Sequence, residues 1–139
     1  MIIGLNINSI IAKSKIDSVE GNITVNSTPV IEDLEKKDID DMKDLISIKF
    51  SFSSNYEPDA GKVKIEGEVL YKTDDAKNIV KKWKDNKSLD PDLAVDVLNA
   101  IFRRCLTKTV DLSADLRLPP PVRFPVVSKE ATASKKDDE

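Results

Sequence analysis

The chain has 139 residues, with 22 Lys+Arg, 25 Asp+Glu, a net charge of −3, one Cys and no His. Those counts exclude a zinc site of the Cys/His type, an intrachain disulfide and any His-dependent triad. The length fits one domain, and 40% apolar with 34% charged residues supplies a core and a soluble surface without a staple. No apolar run approaches the ~20 residues of a membrane span. The N-terminal MIIGLNINSI lacks the basic region and continuous apolar stretch of a signal peptide. Together with the lone Cys105, this points to the cytoplasm and to no membrane insertion. The mildly acidic balance argues against a nucleic-acid partner.

Ile3, Leu5 and Ile7 alternate with Gly4, Asn6 and Asn8, then the apolar phase slips to Ile10, Ala12 and Ile16. A one-residue slip of this kind predicts a β-bulge within a first strand. Ile23 and Val25 begin a second strand over 20–31, which Pro29 assigns to a sheet edge or to its own end. The charged stretch 32–44 reads as a short helix or a mobile loop. In 46–56, apolar residues fall at Ile46, Ile48, Phe50, Phe52 and Tyr56 with Ser or Lys between. The same period of two returns in Val63, Ile65, Val69 and Tyr71. The Pro, Asp and Gly of residues 55–61 join the two as an antiparallel hairpin.

The back half changes to a helical period. Asp74 or Asp75 caps a segment with Ala76, Ile79, Val80 and Trp83 on one side. Asn86 and Ser88 interrupt it. Asp90-Pro91-Asp92 then opens a long amphipathic helix carrying Leu93, Ala94, Val97, Leu98, Ile101, Phe102, Cys105 and Leu106. The β-branched cluster at Thr107–Val110 predicts that this helix fades there. The prolines of 117–125 impose an extended segment, and the small, charged residues 128–139 read as a disordered tail. The fold class is therefore α+β: a four-stranded antiparallel sheet, a linker helix and one long amphipathic helix in a domain spanning 1–127.

Catalysis has little to stand on. Paired acids such as Asp40-Asp41 and Asp74-Asp75 read as caps or solvated loop residues. The set Asp38, Asp40, Asp41 and Asp44 lacks the Gly turn and closing Glu of a calcium loop. No glycine-rich phosphate cradle is present, and Cys105 reads as a small core residue on the helix stripe. No catalytic residue, metal ligand or cofactor is assigned. Apolar surface carries more information: the stripe from Leu93 to Leu106 is wider than one sheet face requires. The excess serves self-assembly, capture of extended apolar segments, or both.

The order of elements, and above all residues 99–124, resembles the SecB family of export chaperones. Its members have an amphipathic helix with Arg and Cys near its end, here Arg103, Arg104 and Cys105. A Leu-x-Leu-x-Pro-Val-x-Phe motif follows, matched by Leu116, Leu118, Pro120, Pro121, Val122 and Phe124 with one extra Pro. The resemblance implies an ATP-independent holdase assembled as a homotetramer, a dimer of dimers, whose partners are unfolded or precursor polypeptides. It implies a client groove at Phe50, Phe52, Ile65, Val69, Tyr71 and Trp83, each equally able to serve as core packing. A subunit contact falls at Val97, Ile101, Phe102 and Cys105. The tail SKEATASKKDDE has neither Cys nor His, which removes the zinc-dependent docking on the motor SecA seen in bacterial members. Protein export, general holding and a dedicated toxin–antitoxin role stay open, as does a homo-oligomeric structural or adaptor protein.

Overall fold

The computed structural model describes residues 1–18 and 20–123. Strands β1 (Ile2–Ser14), β2 (Thr24–Ile39), β3 (Met42–Glu57) and β4 (Gly61–Lys72) precede helices α1 (Ala76–Asn86) and α2 (Pro91–Leu116). A 3-10 turn at Ile16–Ser18 follows β1. The strands form one antiparallel sheet in the order β1-β4-β3-β2, so β1 and β2 are its edges. Phe124, the 127/128 boundary and the tail 128–139 lie outside the described residues.

Period-two patterning sets the two faces. On β3, Ile46, Ile48, Phe50, Phe52 and Tyr56 point into the core. Register brings Tyr71, Val69, Gly67, Ile65 and Gly61 of β4 opposite them on the same face. The other face carries Ser47, Lys49, Ser51 and Ser53 against Leu70, Glu68, Glu66 and Lys64. In β1 the register shifts between Ile7 and Ser9, where the apolar phase slips in the sequence. The bulge keeps Ile7, Ile10 and Ala12 on one face by leaving Asn8 unpaired. Gly67 permits the close approach of β1 here: an added Cβ would collide with the Asn6 carbonyl and come within 3.0 Å of the Phe50 ring.

The reading of 32–44 as helix or loop is corrected. β2 runs through to Ile39 and turns at Asp40-Asp41 straight into β3. A second bulge between Ile31 and Asp33 moves the inward phase from Ile31 to Leu34, which is fully buried. The bulge hides the alternation in the sequence, and the charges suit a strand at the sheet edge. The Asp run serves backbone geometry: Asp40 and Asp44 adopt left-handed φ of 51° and 64°, which Asp tolerates better than most residues.

Both helices lie on the inward face. α1 buries Ala76, Val80 and Trp83, and α2 buries Leu93, Val97, Ile101, Cys105, Thr109 and Ser113 at every fourth position. Asp75 and Asp90 occupy the N-cap positions, although neither side chain bonds the helix backbone. The Asp75 carboxylate instead accepts from Asn78 Nδ2 at 2.6 Å. Pro91 stands in the first turn of α2, where its missing N–H costs nothing. The expected fading at 107–110 is corrected as well, since α2 continues to Leu116. The Thr107, Thr109 and Ser113 hydroxyls donate back to the carbonyls of Arg103, Cys105 and Val110. Burial of Thr109 and Ser113 against the sheet outweighs their small propensity deficit. Past the helix Leu118 folds back, 5% exposed, against the space above Gly61.

Candidate functional site

The end of β4, one flank of α1 and the first turns of α2 enclose an open cavity of about 380 Å³. Tyr71, Ile79, Leu89 and Leu93 supply its apolar surface, and Asp75, Asp90, Asp92 and Asp96 ring it, with Lys82 as the one cation. Local sequence explains each part. Tyr71 is the last inward position of β4 and is partly buried. Ile79 lies one position before the buried Val80, which turns it toward α2. Leu89 precedes the Asp90 cap, where an apolar residue fixes the entry of the chain into a helix. The acids gather because both helices begin here, and carboxylates suit helix N-termini. The result is an aliphatic and aromatic floor with a negative rim, suited to an extended segment that pairs apolar side chains with Lys or Arg.

Of the six residues assigned to a groove, only Tyr71 reaches this cavity. Phe50, Phe52, Ile65 and Val69 are at most 2% exposed beneath the helices, and Trp83 is buried under α1. Among the described residues the Trp83 indole N–H has no hydrogen-bond partner, and the Lys87 ammonium lies 5.3 Å from its ring centroid. These five belong to the core and do not line the cavity. Leu89 and the particular acids of the rim escaped the sequence reading. Asp75, Asp90 and Asp92 register as caps in sequence and Asp96 as a polar position of the long helix, and only the return of α2 past α1 gathers them at one mouth.

The four residues assigned to a subunit contact also divide. Val97, Ile101 and Cys105 are fully buried against the sheet. Phe102 is half-buried and meets Phe52 edge to face. It belongs to a second row, Ala94, Leu98, Phe102, Leu106 and Val110, all partly exposed on one flank of α2. At 100° per residue this row lies on the flank opposite Arg104 and Lys108. It accounts for the width of the stripe.

Two further titratable groups among the described residues have perturbed environments. Burial pushes the Cys105 thiol up to about 11, slightly offset by Arg104, so it is neither an exposed nor an activated nucleophile. Glu68, on the outward face, accepts from Ser47 Oγ at 2.6 Å, and Lys37 lies 3.4 Å away. Hydrogen bonding from Ser47 holds its carboxyl below the usual range, against the opposing effect of burial. Asn6 and Lys37 add to the lowering. This arrangement ties β1, β2, β3 and β4 together across the sheet. Among the described residues, no three His, Cys, Asp or Glu side chains are grouped to hold a metal ion. Within the same residues, no helix is long and apolar enough to cross a membrane.

No protein-family model and no curated protein sequence matches the chain. Among solved structures it is similar to a SecB-like chaperone from Mycobacterium tuberculosis, determined in complex with a ChAD peptide from the HigA1 antitoxin. The TM-score is 0.55 at 11% sequence identity, over 92% of this chain and 89% of the other. The α+β architecture of a four-stranded antiparallel sheet with two helices is thus that of the SecB-like fold.

Proposed function

We propose that the chain is a chaperone of the holdase type, non-enzymatic and independent of ATP, that keeps extended polypeptides from aggregating. The observation that carries this reading is the acid-rimmed apolar cavity at Tyr71, Ile79, Leu89 and Leu93. It is supported by a fold shared with a chaperone that was solved with a peptide bound. A cavity of about 380 Å³ receives only a few side chains at a time, so longer clients engage several copies. Phe50, Phe52, Ile65, Val69 and Trp83 are core residues and are reached by a client only where the helices shift. The row Ala94, Leu98, Phe102, Leu106 and Val110 packs against a second copy, with Val97, Ile101 and Cys105 behind it, in an assembly read as a homotetramer. Joining copies multiplies the grooves available to one client and raises avidity without new contacts.

The test is suppression of aggregation of a chemically unfolded protein, without nucleotide, at stoichiometric ratios. Leu89→Asp should abolish suppression while leaving circular dichroism and solution mass unchanged. A wild-type assembly that leaves the aggregation rate untouched sinks the proposal. The antitoxin peptide on the structural neighbour favours a second reading, a chaperone dedicated to one short segment of one partner. Unequal suppression across unrelated unfolded clients separates it from general holding.

A further inference from the structure

The flank of α1 facing away from the acidic cavity carries the opposite charge. Lys77, Lys81 and Lys84 recur at i, i+4 and i+7, and Lys36 of β2 joins them around a dent of about 280 Å³. Val80 forms its floor, and Asp85 is the one anion in its lining. All four lysines are exposed. Among the described residues none of their ammonium groups makes an ion pair, whereas Lys37, Lys49, Lys64 and Lys108 each have a carboxylate partner. Like charges at i, i+4 disfavour a helix, and the fold adds a fourth cation from another element. This concentration stands out in a chain whose net charge is −3.

We propose that this dent is a docking surface for an acidic polypeptide segment bearing one aliphatic residue. The lysines complement Asp and Glu side chains, and Val80 receives the aliphatic group. A nucleic acid fits less well. The dent offers no exposed aromatic ring for base stacking, the patch is too short to follow a phosphate backbone, and the net charge repels a long polyanion. The surface is separate from the cavity of the holdase reading, lying on the other flank of α1, and does not depend on that reading. One subunit then offers two mouths of opposite sign on either side of a single helix.

The experiment is fluorescence anisotropy of the full chain with a short labelled peptide carrying Glu residues about one central Leu. The same peptide with Gln in place of Glu is the comparison. The Glu peptide should bind at least about tenfold more tightly than the Gln peptide, and the difference should shrink as salt is added. Lys81→Glu with Lys84→Glu should remove the binding. Lys13→Glu with Lys62→Glu, paired on the outward face, changes net charge equally and should leave most of it. Equal binding of the two peptides overturns the proposal. So does an equal loss in both double variants, or displacement of the peptide by single-stranded RNA at lower concentration than by unlabelled peptide. Aggregation suppression measured on the same samples reports the holdase reading separately.

Discussion

Phe52 of β3 and Phe102 of α2 meet edge to face, with ring centroids 5.8 Å apart and planes at 82°. Phe52 is fully buried and Phe102 half-buried, so the pair joins the core to the uncovered row of α2. An edge-to-face pair contributes about 0.5–1.5 kcal/mol beyond area burial. Phe52→Ala should lower unfolding stability by about 3–5 kcal/mol, the usual range for a buried Phe. Phe102→Ala should cost the single chain less, about 1–3 kcal/mol from partial burial. It should also reduce solution mass, because the row it belongs to is the proposed assembly surface. Denaturant unfolding with a double-mutant cycle checks the first expectation, and light scattering the second. Loss of stability with unchanged mass would remove Phe102 from the assembly surface.

What the sequence made legible follows from these contacts. Hydrophobic periodicity identified the β3–β4 hairpin and both helix starts, because there each face has one role. The Asn8 bulge was readable as a phase slip, and the Glu32 bulge obeys the same rule but was masked by charges at the sheet edge. Periodicity also gave the width of the α2 stripe. It could not say which row met the sheet, since Ile101 and Phe102 are equally apolar neighbours on one helix. That choice is made by the rotation of α2 on the sheet, a tertiary property. The cavity was less legible still: Leu89 and four acids are distant or unremarkable in sequence, and the return of α2 brings them together.

Cys105 provides a reporter of helix movement. It is fully buried, and burial raises its thiol to about 11. Near pH 8 only about one thiol in a thousand is then ionised, against roughly one in five to ten for an unperturbed Cys. Reaction with an aromatic disulfide reagent should be at least about a hundredfold slower in the folded chain than in urea. If clients reach Phe50 and Phe52 by lifting α2, an unfolded client should accelerate labelling of the native protein. Unchanged labelling at saturating client would confine binding to the outer cavity at Tyr71 and Leu89.

Glu68 makes stability depend on acid. Its carboxyl is held below its ordinary value of 4.5, chiefly by the Ser47 hydrogen bond. A depressed folded-state pKa means that the unfolded chain takes up this proton first as pH falls. The contribution is therefore complete well above pH 4.5 and disappears as pH drops through the lower folded value. Glu68→Gln should lower stability near neutral pH and flatten the decline between about pH 5 and pH 3. Urea midpoints measured across that range decide it. A variant with an unaltered acid slope would show that the network around Ser47, Asn6 and Lys37 contributes nothing to acid sensitivity.

The acidic rim of the cavity should select among clients. Asp92 and Asp96 are exposed on one flank of α2, and Asp96 also interacts electrostatically with the N-terminal ammonium of Met1. Replacing both by Asn keeps size and helix position while removing two charges, with a stability change of at most about 0.5–1 kcal/mol from the lost favourable dipole interaction. Binding of a peptide with a Leu core flanked by Lys should weaken several-fold at low salt. An uncharged peptide with the same core should bind as before, because Tyr71, Ile79, Leu89 and Leu93 are untouched. The selectivity of the wild type should shrink toward that of the variant as salt rises, since exposed charges are screened within about 10 Å at 0.1 M. Parallel loss for both peptides would instead mean that the acids shape the cavity, and its charge would no longer explain client choice.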